Sequence, residues 1–277
     1  MGIDKTAAEL VLKQIDPGEL AQLACDIVNI QSPTGHEVDL ADFILGWYAR
    51  HGLKPIRQEV EPGRPNAVGV LKGTGGGLSL MINGHMDTSF TGTDQDSLIT
   101  TIDPNEVLDG RIEDGKVRGL GISNMKGGLA SFLTAANALA RSGVTLKGDL
   151  VLAAVVGEIS RTPIGPYQGS EYRGEGIGTR HLLTHGVQSD YAVVADGSDL
   201  NIIWTQNGVV DLKITVFGKA KSAWNSDRAT EPSIEMNAVV KMAKVVEALE
   251  EWGERFEAEN VYQAPTGPML PKVNVGA

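Results

Sequence analysis

The chain has 277 residues, of which 42% are hydrophobic and 21% charged, enough to bury a substantial core in one large or two moderate domains. A formal net charge of -11, with no cluster of Lys or Arg, argues against a nucleic-acid partner, because phosphates are repelled by such a surface. No stretch approaches the roughly 20 apolar residues of a membrane span, so no membrane insertion is expected. The single cysteine, Cys25, forms no internal disulfide, and Met1 to Leu20 lacks the apolar run of a signal peptide. A cytoplasmic protein acting on a small-molecule or peptide substrate is therefore expected.

In chain order, Pro17 to Ile30 carries Leu20, Leu23, Ile27 and Val28 at the spacing of one helical face, ending at the turn chemistry of Pro33. A second helix is predicted over Val38 to His51, with Leu40, Phe43, Ile44 and Tyr48 on one side and a stop at Gly52. Ala67 to Leu71 then reads as a strand, Gly73 to Gly77 as a hairpin turn, and Leu78 to Asn83 as a strand apolar enough to be buried on both faces. Leu150 to Val156 and Tyr191 to Ala195 are runs of the same sort, separated by helical stretches at Lys126 to Ala140 and Thr179 to Thr184. That alternation predicts a layered α/β domain. From Gly208 the character changes. Val209 to Phe217 alternates apolar and polar residues, and Ile234 to Phe256 is a long amphipathic helix. A boundary is placed near Asn207, dividing the chain into 1–207 and 208–277. The stripe of the last helix packs most simply on its own small sheet, with homodimer contacts as the alternative.

The sharpest local feature is Asn83-Gly84-His85-Met86-Asp87-Thr88 at the carboxyl end of a predicted strand, where open α/β sheets bind their ligands. In extended chain His85 and Asp87 point to the same side, and a metal-bound imidazole is commonly oriented by a carboxylate. The plainer alternative is a His and an Asp that merely finish a strand. Glu158 and Asp196 follow two further apolar runs and would reach the same edge of the sheet, although each alone also suits a helix cap or loop hydrogen bond. His181 and His185 have i, i+4 spacing without an acidic companion and read as a solvated surface pair. Gly174, Gly176 and Gly178 lack the strand and the fuller fingerprint of a nucleotide loop.

Taken in order, Ile30 to Gly35, Asn66 to Gly75, Gly84 to Thr88, Arg118 to Gly128 with Asn124-Met125-Lys126-Gly127-Gly128, Gly178-Thr179, Asp190 to Asp196 and Gly208 to Gly218 resemble the co-catalytic zinc amidohydrolases and peptidases. That family includes acetylornithine deacetylase, succinyl-diaminopimelate desuccinylase, aminoacylase and glutamate carboxypeptidases. The resemblance implies a layered α/β zinc-peptidase-like catalytic domain with a partial α+β lid and dimerisation domain, the lid carrying a homodimer contact. It makes His85 a metal ligand, Asp87 the residue that orients it, Glu158 the general base and Asp196 a second ligand. The chain departs from the pattern at Asn124, where a bridging Asp is expected, and at Ile159, where a second Glu is expected. A one-residue shift would make Glu158 the ligand and leave Gly157 at the base position. The lid histidine is also missing from Gly218 to Asn225. The chain stops in what looks like the middle of the lid, so the family's C-terminal third is expected to be lacking. These departures predict one Zn²⁺ rather than two, with Co²⁺ as a substitute and Asn124 as a weak additional ligand. The expected function is hydrolysis of an amide bond in an N-acyl amino acid or small peptide; a non-hydrolytic binding or regulatory protein is the alternative.

Overall fold

The structure is a computed structural model and describes residues 5–90, 109–159, 172–198, 200–203, 205–210, 212–220, 222, 224, 237–265 and 267–275. The chain divides into two compact units, Met1–Leu200 and Asn201–Ala277.

The first unit begins with helices α1 (Lys5–Leu12), α2 (Pro17–Asn29) and α3 (Val38–Arg50). Asp16 starts α2 because its carboxylate accepts the Glu19 N–H at 2.9 Å, with Pro17 where no N–H is needed. Strands β1 (Lys54–Glu61), β2 (Arg64–Leu71) and β3 (Leu80–His85) follow. A small hairpin, β4 (Arg111–Glu113) and β5 (Lys116–Arg118), turns through Asp114-Gly115, both at positive φ. After it come a kinked turn at Ile122–Lys126, in which Asn124 and Met125 have non-helical φ/ψ, helix α4 (Gly127–Ser142), strand β6 (Leu150–Val155), helix α5 (Ile177–Thr184) and strand β7 (Tyr191–Val194). Five strands form one mixed sheet in the order β1-β2-β6-β3-β7, in which β3 runs parallel to both β6 and β7.

The sheet is covered on both faces. Leu150, Leu152 and Ala154 of β6 pack with Ala24 and Ile27 of α2, Leu40, Ile44 and Tyr48 of α3, and Leu129 and Leu133 of α4. Val151, Ala153 and Val155 alternate to the other face, against Val68, Met81 and Leu182 of α5. All six residues of β6 are buried, so this central strand anchors the layers.

This is the expected layered α/β architecture, with three local corrections. Gly73 to Gly77 is not a hairpin turn, because β2 and β3 do not pair: Leu71 and Leu80 both sit opposite Leu150, with β6 inserted between them. The glycine run instead crosses the start of β6, where the Thr74 and Gly75 N–H groups bond Leu146 and Lys147 carbonyls. A Cβ on Gly73 or Gly77 would fall 2.4–2.5 Å from that strand's lead-in, so only glycine passes there. Tyr191 to Val194 is a strand but an exposed one, since it forms the sheet's edge. The polar β1 gives no apolar run to detect, its inward positions being only half-buried.

In the second unit, α6 (Ala238–Glu259) is capped by Asn237 and followed by the hairpin of β8 (Tyr262–Ala264) and β9 (Gly267–Met269). The predicted helix start at Ile234 lies outside the described residues. The Val209 to Phe217 strand is not formed among the described residues. Alternation supplies a face but no pairing partner, and Val209, Val210, Leu212 and Phe217 are exposed. No helix among the described residues is long and apolar enough to cross a membrane.

Candidate metal and catalytic site

His85 is the last residue of β3, level with Val155 of the parallel β6. The same edge receives the chain leaving β6 at Glu158 and the chain leaving β7 at Asp196. Asn83 pairs with Val194 and its carbonyl accepts the Ala195 N–H at 2.9 Å, so the register carries Asp196 to the level of His85.

The residues after His85 are pinned from two sides. The Ser32 hydroxyl donates to the Met86 carbonyl at 2.7 Å, and the Thr88 N–H donates to the Ser32 carbonyl at 2.9 Å. Asp87 is fully buried. Its carboxylate accepts the Thr34 hydroxyl at 2.7 Å and the N–H groups of Glu158 at 3.1 Å and Ile159 at 3.0 Å. The dipeptide that carries Glu158 thus hangs on Asp87.

Close packing brings in Asn124. Gly84 has the Met125 side chain lying on it, since a Cβ would come 2.2 Å from Cε, and the Asn124–Met125 peptide is cis. Gly128, at the start of α4, similarly abuts the Ala195 carbonyl, and Gly197 lies against Ser123. The loops after β3, β5 and β7 therefore meet over His85.

His85 Nε2 stands 2.7 Å from Asn124 Oδ1 and 3.6 Å from Glu158 Oε2. Nδ1 lies 3.0 Å from the Asp87 carbonyl and 3.4 Å from its carboxylate. A proton on Nδ1 satisfies both and leaves the Nε2 lone pair for a ligand. Burial alone would lower the His85 pKa, but the hydrogen bond and charge of Asp87, then Glu158 and Asn124, hold it above its ordinary value. Burial raises that of Asp87, but its bonds to His85 and to the Glu158 N–H bring it below the usual range.

The geometry gathers His85, Asp87, Asn124 and Glu158. Asp196 reaches the same edge, but it is exposed and its carboxylate accepts the N–H of Gly197 at 2.6 Å. No three His, Cys, Asp or Glu residues form a metal cluster among the described residues. The donor chemistry nevertheless suits a divalent cation. An imidazole lone pair and an amide oxygen 2.7 Å apart repel each other unless a proton or a cation lies between them, and a carboxylate stands beside them. Asn124 is neutral and so a poor bridge between two cations, and Ile159 offers no side-chain donor.

His181 and His185 stack at 3.7 Å on the surface, outside this centre. The Gly174 to Gly178 loop packs on the end of β6, where a Cβ on Gly178 would meet the Val156 carbonyl at 2.4 Å. Reading the sequence alone misses Thr34, Glu37, Arg64, Asn66 and Lys126. Buried polar residues follow no periodicity; Thr34, Asn66 and Lys126 lie in stretches that carry the family resemblance, but nothing local gives them a role, and Glu37 and Arg64 have no local signal.

Comparison with known proteins gives consistent matches. Residues 81–267 match peptidase family M20/M25/M40. The chain is 31% identical over 242 residues to the "N-formyl-4-amino-5-aminomethyl-2-methylpyrimidine deformylase" of Bacillus subtilis (strain 168), covering 84% of this chain and 52% of that protein. It is 27% identical over 254 residues to the "Probable succinyl-diaminopimelate desuccinylase" of Staphylococcus epidermidis, covering 91% of this chain and 56% of that protein. The fold matches the crystal structure of a tripeptidase from Staphylococcus aureus subsp. aureus Mu50 with a TM-score of 0.51 at 20% identity, over 67% of this chain and 44% of that one. The chain thus spans about half the length of the curated relatives it matches.

Proposed function

The chain belongs to peptidase family M20/M25/M40, and from that premise we propose that it serves the metal-dependent hydrolysis of an amide bond in an N-acyl amino acid or small peptide. The carrying observation is the Glu158 carboxylate, half exposed and 3.6 Å from His85 Nε2, on a backbone held by Asp87. The names of the deformylase and the desuccinylase both describe removal of an acyl group from nitrogen, which supports the same bond class here.

The residues divide the work. His85 and Asn124, joined by Asp196, would hold one zinc ion, for which Co²⁺ is a substitute. When bound, it supplies polarisation of the scissile carbonyl and a lowered pKa for an attacking water. Asp87 accepts a hydrogen bond from the Nδ1–H of His85 and so fixes which nitrogen is free to bind. Glu158, open to solvent on one side, removes the proton from the water and delivers it to the leaving amine. The division into a catalytic part, 1–207, and a lid part, 208–277, a homodimer through that lid, and a cytoplasmic location suited to the unpaired Cys25 belong to the same proposal.

Glu158→Gln is expected to lower turnover by about 10²–10⁴-fold while zinc stays bound. Undiminished turnover of N-acetyl, N-succinyl or dipeptide substrates in that variant rejects the assigned base. Asn124 and Ile159 favour a second reading, a non-hydrolytic binding protein. It is identified by saturable binding of the same compounds with no product from the native chain.

A further inference from the structure

The parallel pairing of β6 with β3 ends at Val155, yet the next four backbone N–H groups all end on buried side chains. Val156 donates to Asn66 Oδ1 at 3.1 Å, Gly157 to Glu37 Oε1 at 3.2 Å, and Glu158 and Ile159 to the two oxygens of Asp87. The Glu37 interaction stands out because it places a full ion pair inside the protein. The Glu37 side chain is 0% exposed and that of Arg64 is 2% exposed. Arg64 grips Glu37 with two bonds, Nε to Oε2 at 3.1 Å and Nη2 to Oε1 at 2.7 Å. Its Nη1 donates to Glu61 at 2.6 Å and to the Arg173 carbonyl at 2.9 Å.

Stability alone is a weak reason for such a pair. Desolvation of two charges offsets most of their attraction, and apolar residues of similar volume commonly replace a buried pair without loss. What apolar residues cannot do is accept the Gly157 N–H. Gly157 has φ +64° and passes over the guanidinium so closely that a Cβ would fall 2.8 Å from Arg64 Nη2. The backbone position one residue before Glu158 is thereby set by a carboxylate that is itself fixed by two guanidinium bonds.

We infer that Glu37 and Arg64 are positioning residues for Glu158, acting through the Gly157 backbone to hold the carboxylate in reach of the His85 edge. The inference rests on the reading of Glu158 as the base. Asp87 holds Glu158 from the metal side and Glu37 holds it from the far side, so the turn is clamped between two buried carboxylates. Releasing one clamp lets the turn shift, and a shift of about 1 Å in a reacting group costs on the order of a hundredfold in rate.

The test uses the full chain with Glu37→Met/Arg64→Met, which removes both charges and leaves unbranched apolar side chains in their place, together with Glu37→Gln and Glu158→Gln. Rates are measured on N-acetyl and N-succinyl amino acids with zinc supplied, alongside melting and residue-resolved amide hydrogen exchange. For the double variant the inference expects a cooperative melt at a lower temperature, because the Gly157 N–H and the Arg173 carbonyl lose their partners, with kcat down about a hundredfold and KM within about twofold below that melt. It also expects exchange at Gly157 and Glu158 faster by about tenfold, with Val156, held by Asn66, as an unchanged internal reference. Native kcat with native exchange at Gly157 and Glu158 overturns it, and assigns the pair to fastening α3 alone. If the double variant does not fold, Glu37→Gln is judged by the same two measurements. Full turnover in Glu158→Gln rejects the base, while exchange at Gly157 still reports separately whether Glu37 holds this backbone.

Discussion

Replacing Asp87 by Asn removes one charge and exchanges one acceptor oxygen for an NH₂ group, at a fully buried position. The native carboxylate accepts three hydrogen bonds, from Thr34, Glu158 and Ile159, and faces His85 Nδ1 at 3.4 Å. An amide in either orientation turns its NH₂ toward a backbone N–H, of Glu158 in one and of Ile159 in the other. At least one bond to a charged acceptor is lost and one buried donor is stranded, a cost of about 2–4 kcal/mol. The loss should appear in urea denaturation of the metal-free protein as a lower midpoint with an unchanged slope. The native contribution of Asp87 follows its depressed pKa: it is present above the ordinary carboxylate value of 3.8 and fades as pH falls through the lower folded-state value, so the two proteins converge in acid. Zinc affinity should fall by about 10–100-fold, because the Nδ1 proton of His85 loses its carboxylate. A variant within about 0.5 kcal/mol of the native protein, with unchanged zinc affinity, refutes the role given to this carboxylate.

Two further substitutions probe the surroundings. Lys126 is 1% exposed, donates to the Ile30 carbonyl at 2.6 Å, and is pushed by burial from 10.5 to about 8. Between those values the unfolded chain keeps a proton that the folded one has released, so native stability rises with pH from about 8 to 10.5, by about 3 kcal/mol. Denaturation across that window in Lys126→Met should lack the rise, and an identical rise would reject the assignment. Gly69→Ala should cost about 1–3 kcal/mol by chemical denaturation, since its Cβ would lie 2.5 Å from the ring of Tyr48, which is fully buried and bonded to the Leu152 carbonyl. A neutral result there means the α3 layer can move off the sheet.

Much of this site is legible in the sequence because its key residues sit at the ends of apolar runs. His85, Glu158 and Asp196 each follow such a run, and the strands do deliver all three to one edge of the sheet. The insertion of β6 between β2 and β3 has no local signature. Gly73 to Gly77 has the composition of a hairpin turn, and only the distant Leu150 decides otherwise. Glu37, Arg64 and Asn66 are hidden for a different reason: charged and polar residues in a strand or at a helix start ordinarily face water, and their burial depends on partners up to 120 residues away. Tyr191 to Val194 shows the converse, since apolar residues mark a strand without saying whether anything covers it.

The most direct measurement is zinc content per chain, by elemental mass spectrometry, for the native protein and His85→Ala, both purified without chelators and checked for intact length. About one zinc ion per native chain and almost none in the variant is the expected result. Two ions per chain, or an ion retained after loss of His85, contradicts a single-cation centre built on that imidazole.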